Sequence, residues 1–226
     1  AGCTLRTGGV SKGSYSSLNL GGHVGDRLAA ISENRRRFRR ACKLPNDPLW
    51  LSQVHGTDVA VEPCLGAKAD ASFTRESGVV CAVLTADCLP VIFACDDGEQ
   101  VAVAHAGWRG LAAGVLEATV AVFDTLPGQL HAWLGPAISQ SAFEVGEEVR
   151  QAYLQHSSEA ARHFRENYRG RWQADLYGLA RQRLECCGVR QISGGQHCTY
   201  AEANRFFSYR RDGQCGRMAA FVYRHL

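Results

Sequence analysis

"LTADCLPVIFACDDGEQVAVAHAGWRG", Leu84 to Gly110, is the stretch whose reading decides the fold. Two apolar runs flank Asp96, Asp97 and Gly98, a hairpin turn signal. Reactive side chains stand at the far ends of both runs. Cys88 follows Asp87 before Pro90, and His105 precedes Gly107-Trp108-Arg109-Gly110. Upstream, His55 closes "LSQVHG". Strand tips that feed turns are common places for sites.

Two imidazoles and a thiol form a mixed nitrogen and sulfur donor set. Zinc accepts such a set in a catalytic site, with three protein ligands and one position left open. The thiolate suits zinc or copper and serves magnesium or calcium poorly. Long segments separate the three residues, so no short motif ties them together, and each also reads as packing or as a hydrogen-bonded strand end. An unpaired buried carboxylate costs several kcal/mol, so Asp87 needs a partner. That partner is either a ligand histidine, whose ring it would orient, or the backbone of a turn it caps. The glycines at 107 and 110 permit close backbone approach, and a helix starting there turns its amides toward an anion.

Around this centre the chain reads as alternating runs of strands and helices. "DRLAAISENRRRFRRACKL" places Leu28, Ile31, Arg35 and Phe38 on one stripe, predicting an amphipathic helix from about Asp26 to Cys42 with Asp26 as its cap. "LWLSQVHGTDVAVEP" alternates as a strand, and residues 69–107 hold at least three more. "GWRGLAAGVLEATVAVFDTL", "FEVGEEVRQAYLQH" and "DLYGLARQRLECCGV" read as helices, the last stopped by Gly188. "LHAWLGPAIS", "QISGGQHCTY" and "RMAAFVYRHL" contain further strands. Strands come in runs rather than in strict alternation with helices, which predicts an α+β fold with mixed or antiparallel sheets, and the length allows one large domain or two small ones.

At 226 residues, 46% hydrophobic and 21% charged, the chain can bury a core without cross-links. The net charge of +3 is too small to argue for nucleic acid. No run approaches the ~18 apolar residues needed to span a bilayer. Ten cysteines, several inside apolar runs and none in a CxxC pair, point to buried thiols in a reducing cytoplasm rather than to a disulfide framework.

"RTGGVS", "SLNLGGHVGD", "ENRRR", "WLSQVHGTDV", "ADASFT", "CAVLTADCLPV", "VAVAHAGWRGLAAGVLEATV", "WLGPAISQSAFEVGEEV", "HCTY" and "RFFSYRRDGQCGRMAAF" follow one another in order. In these the chain resembles the YfiH, or laccase-domain, family, also called multicopper polyphenol oxidase-like or purine nucleoside phosphorylase-like. The resemblance covers nearly the whole length and implies a single domain over residues 1–226 with a layered α/β/β/α fold akin to that of the CNF toxin, and with His55, Cys88 and His105 as the metal-binding and catalytic set. It implies zinc-dependent phosphorolysis of adenosine, inosine or methylthioadenosine, with adenosine deamination beside it. An older reading is copper-dependent oxidation of phenols. The eight histidines form no His-x-His pair, which argues against a trinuclear copper cluster, although one copper ion suits the same three ligands. A metal-free Cys88–His105 hydrolase is a third possibility, and a non-catalytic binding protein a fourth.

Within the nucleoside reading, Asp87 is a candidate to shuttle protons. Arg35, Arg109 and the loop "RTGGVSKGSYSSLN" could hold phosphate. Asn19 and Gln53 could bond ribose or base. Arg35 reads equally as a helix-face charge and Asn19 as a turn residue. Arg210 and Arg211 in "FFSYRRDG" either clamp a purine or phosphate or form a turn paired with Asp212.

Overall fold

A computed structural model describes residues 1–225. Its strands are β1 (Gly2–Cys3), β2 (Leu49–Trp50), β3 (Val59–Val61), β4 (Ala71–Thr74), β5 (Cys81–Thr85), β6 (Leu89–Cys95), β7 (Val101–Ala106), β8 (Leu130–Leu134), β9 (Glu144–Val145), β10 (Phe164–Glu166), β11 (Trp172–Ala174), β12 (Gln191–Gly194) and β13 (Met218–Val222). Its α-helices are α1 (Leu28–Ala41), α2 (Trp108–Ala113), α3 (Val115–Ala121), α4 (Glu147–Leu154), α5 (Leu176–Cys186) and α6 (Tyr209–Asp212). The central strands form two mixed sheets, ordered β1-β13-β5-β2 and β12-β8-β6-β7-β4-β3. A small antiparallel sheet, β10-β11-β9, lies apart from them.

Period-two alternation builds the layers. In β5, Ala82 and Leu84 pack under Phe38 of α1, whereas Cys81 and Val83 meet Ile92 of β6 and Val103 of β7. In β13, Ala219 and Phe221 face α1 while Ala220 and Val222 face the larger sheet. The far face of that sheet, with Val91, Phe93, Ala102 and Ala104, is covered by apolar residues of α2, α3, α4 and α5. The order is therefore helix, sheet, sheet, helices, as the resemblance implied. Both central sheets are apolar on two faces, which explains why β5, β6 and β7 read as continuous hydrophobic runs. All ten cysteines are free thiols, and among the described residues no helix is long and apolar enough to cross a membrane.

Four expectations needed correction. The first helix starts at Leu28 with Arg27 at its cap, and Asp26 does not cap it. Its carboxylate instead accepts from Ser11 Oγ, Asn19 Nδ2 and the Arg27 amide. Leu28, expected on the buried stripe, is 74% exposed, and burial begins two residues on, at Ala30 and Ile31. "LWLSQVHGTDVAVEP" is two short strands rather than one. Between them the amides of residues 54–56 donate to a side chain, Asp70, instead of to a neighbouring strand. The helix predicted after Gly107 is broken at Gly114, whose φ of 107° ends α2 and starts α3.

Candidate metal and catalytic site

His105 shares the side of β7 on which Val101 and Val103 point between the two sheets. It lies one residue before the strand ends, where the layer opens. Cys88 sits in the tight turn from β5 to β6, a turn in which Asp87 takes a φ of 90°. His55 occupies the irregular link between β2 and β3 with a φ of 61°, so it ends no strand. Here the three expected residues meet: their donor atoms all lie within 4.8 Å of one another. The two imidazole rings pack edge to face with centroids 4.8 Å apart.

The residue that organises the set is Asp70, which carries no exposed surface. Its Oδ1 accepts from the His55 amide at 2.9 Å and lies 2.8 Å from His105 Nδ1. Its Oδ2 accepts from the amides of Val54 and Gly56. An ionised carboxylate only accepts, so Nδ1 of His105 carries a proton, and in the neutral ring Nε2 is the nitrogen that presents its lone pair. Asp70 thus sets the tautomer of His105 and the backbone of His55. Burial raises its pKa, but the bonds from His105, Gly56 and Val54 more than offset this and hold it below the usual carboxylate value.

Burial likewise pushes the Cys88 thiol up, yet His105 and His55 outweigh it and bring the group down to about 6. Burial pushes His105 down, and Cys88 with Asp70 overcomes this to raise it to about 9. Without an ion, the pair therefore favours thiolate and imidazolium. A divalent ion held by the three residues would replace that proton, since sulfur must bind as thiolate and imidazole as the neutral ring.

The glycines after His105 do what the sequence suggested. A Cβ at Gly107 would lie 3.0 Å from Cys88 Sγ and 3.1 Å from His55 Cδ2. A Cβ at Gly110 would lie 2.8 Å from the Gly56 carbonyl. Only bare backbone lets α2 close against the turns that bear Cys88 and His55.

The set forms the floor of a cleft of about 730 Å³. Leu51, Leu84 and Ala86 supply apolar wall, and Ser52, Gln53, Thr85, His23, Tyr209 and Arg217 supply polar groups.

Other expected residues fall differently. Asp87 is buried but does not line the cleft, and among the described residues its carboxylate bonds no histidine. Its carboxylate accepts from Thr199 Oγ1, Ser208 Oγ and the Arg210 amide, so it pins the start of α6. The histidine-orienting part it was offered belongs to Asp70. Gln53 lines the cleft, yet its amide is closed on the backbone of Leu84 through both nitrogen and oxygen. Asn19 is fully buried and bonds Gly21, Asp26 and the Arg217 amide. Arg35 gives Nε and Nη2 to the Leu20 carbonyl and stacks on Trp50. Arg109 is exposed, lies over Trp108 and does not line the cleft. Arg211 pairs with Asp212 and bonds the carbonyls of Thr199, Tyr200 and Phe206, which favours the paired-turn reading. Arg210 stacks on Phe143, away from the cleft.

A sequence profile described as multi-copper polyphenol oxidoreductase laccase matches residues 1–225. The chain belongs to that family. Among curated relatives, the purine nucleoside phosphorylase YfiH of Escherichia coli (strain K12) is 53% identical over 223 residues, which is 97% of this chain and 91% of the relative. A purine nucleoside phosphorylase of Pseudomonas aeruginosa is 50% identical over 222 residues, 97% and 91% of the two chains. The crystal structure of a Neisseria meningitidis protein superposes with a TM-score of 0.94 at 47% identity, covering 99% of this chain and 93% of that one. Bacillus licheniformis YfiH gives 0.92 at 28% identity, with 98% and 91% covered. The family is thus the one its motifs resembled.

Proposed function

We propose that this family member is a purine nucleoside phosphorylase that also deaminates adenosine, working with one zinc ion held by His55, Cys88 and His105. One observation carries the reading: three donors of zinc-binding type converge on the floor of a cleft large enough for a nucleoside. The names of the relatives supply the nucleoside class.

The donor set fits a single ion on three counts. It has the right chemistry, it has mutual reach, and His105 has a buried carboxylate fixing its free nitrogen. Such an ion supplies Lewis acidity at the cleft floor. The chain's own residues do the rest. Asp70 keeps the proton of His105 on Nδ1, and Leu51, Leu84 and Ala86 offer the purine an apolar wall. In phosphorolysis a phosphate oxygen bonds C1′ of the ribose while the bond from C1′ to N9 breaks. N9 keeps the electron pair and takes up a proton. In deamination water adds at C6 and ammonia leaves.

Two other readings meet the same residues. Copper binds such ligands more tightly than zinc, and the family's description speaks of polyphenol oxidation. Among the described residues, though, only this set gathers three or more such donors within reach of an ion, which favours one ion over a cluster. The pairing of Cys88 with His105 also suits a thiolate nucleophile that uses no metal.

Incubation of adenosine with and without phosphate, followed by chromatography, tests the proposal. Adenine forms only with phosphate and inosine forms in both tubes; no product in either refutes the nucleoside reading. Elemental analysis of protein purified without added metal finds about one zinc per chain, lost in Cys88→Ala. Metal-free protein that is active, and is inactivated when iodoacetamide labels Cys88, would support the nucleophile instead.

A further inference from the structure

We infer that the phosphate of this reaction is held by Arg217 and His23, at the cleft wall built by the 19–23 loop and the start of β13. The identity of the anion rests on the phosphorylase reading; the position rests on the geometry.

The cleft lining is one-sided in charge. None of its residues is a carboxylate, Arg217 is its one guanidinium, and His23 adds a titratable ring. A polar cavity without acids, entered by a fixed guanidinium, is a place for an oxyanion.

Arg217 is built in rather than left to swing. Its amide donates to the buried Asn19 Oδ1, and its Nη1 donates to the carbonyls of Cys215 and Gly216. Its guanidinium lies 5.8 Å from the centroid of the Tyr209 ring. Among the described residues only its Nη1 finds acceptors, so Nε and Nη2 of the planar fork remain as two donors for a ligand. The same Asn19 Oδ1 accepts from the Gly21 amide, which ties the loop bearing His23 to the strand bearing Arg217. Gly21 makes the lane: a Cβ there would lie 2.8 Å from Arg217 Cγ. Pairing of Met218 with Thr85 sets Arg217 beside the end of β5, on the approach to Cys88. His23 has its pKa lowered by partial burial and then by Arg217 and Arg35, a repulsion that an anion between these cations relieves. The arginines that the sequence offered do not compete, since Arg35 is occupied by Leu20 and Trp50 and Arg109 lies outside the cleft.

The test uses the full chain loaded with zinc. Titration with inorganic phosphate, by calorimetry or phosphorus NMR, is run on the wild type, Arg217→Gln, Arg217→Lys and His23→Gln, alongside phosphorolysis and deamination kinetics. Arg217→Gln weakens phosphate binding and raises the phosphate KM tenfold or more. Arg217→Lys recovers part of this, and His23→Gln costs about threefold to tenfold. The loss in phosphorolysis exceeds any loss in phosphate-free deamination by at least tenfold. Melting curves and zinc content confirm folding. Should Arg217→Gln not fold, Gly21→Ala displaces the same guanidinium without removing it and raises the phosphate KM in the same direction. Unchanged phosphate affinity in the folded variants overturns the proposal. Phosphate binding that depends on Arg217 in a protein that makes no adenine leaves the subsite standing and refutes the phosphorylase reading. Adenosine 5′-monophosphate carries the same chemistry. If it binds through Arg217 while inorganic phosphate does not bind at all, the group recognised is a nucleotide's, and the co-substrate assignment is wrong.

Discussion

Asp70 receives four donors on two oxygens, two on each. In Asp70→Asn either amide orientation turns an NH2 group toward two N–H donors. The substitution is therefore expected to lower zinc affinity about 10- to 100-fold and to destabilise the fold by about 1–3 kcal/mol. Competition with a chromophoric chelator and urea unfolding measure the two effects; wild-type zinc affinity would show that Asp70 does not orient the ligand. The same principle that singled out Asp87, a carboxylate in an apolar run, also applied to Asp70 in "ADASFT". Both acids are buried and both have partners. Which one meets a histidine depends on residues 35 and 112 positions away in the chain, and local sequence does not register such distances.

Elements place these residues by close approach. In Gly110→Ala the new methyl group meets the Gly56 carbonyl at 2.8 Å, so α2 and the His55 turn must part. A displacement of about 1 Å at a ligand lowers kcat/KM by roughly 100-fold, with the helical circular dichroism kept; kinetics within twofold of the wild type would refute the tight contact. The loop ahead of α1 adds a pH dependence. Partial burial raises the Asp26 carboxyl, and bonds from Ser11, Asn19 and the Arg27 amide outweigh this, leaving its pKa below the ordinary 3.8. A folded pKa below the unfolded one contributes stability that is complete above about pH 4 and is lost as pH falls through the folded value. The stability gap between wild type and Asp26→Asn is therefore wider at pH 7 than at pH 2.5 in urea unfolding, and an equal gap at both would remove this role. Sequence pattern identified α1 and α5 well because an apolar stripe is local. It assigned Asp26 to the wrong task because a cap and a loop tie call for the same residue type.

At the scale of the molecule, an ion at the cleft floor would join the β2–β3 link, the β5–β6 turn and the end of β7. Binding only the folded chain, it stabilises by about 2.7 kcal/mol at a hundredfold excess over its dissociation constant, which for a chain of this size raises Tm by roughly 5–10 °C. Dialysis against a strong chelator should lower Tm by that amount and added zinc should restore it; a Tm indifferent to zinc that is shown to be bound would contradict the tie. The sequence by itself determined the apolar runs of β5, β6 and β7, the helices, the candidate set of His55, Cys88 and His105 and the need for glycine after His105, because these rest on spacing and residue type. Tertiary structure alone decided that Asp70 rather than Asp87 serves His105, that Asn19, Arg35 and Gln53 hold backbone, and that Arg217 from the far end of the chain enters the cleft. A hydrogen bond or a charge pair is selected by distance in space, and here pairing of β4 with β7 sets Asp70 beside His105 while pairing of β13 with β5 carries Arg217 to the cleft.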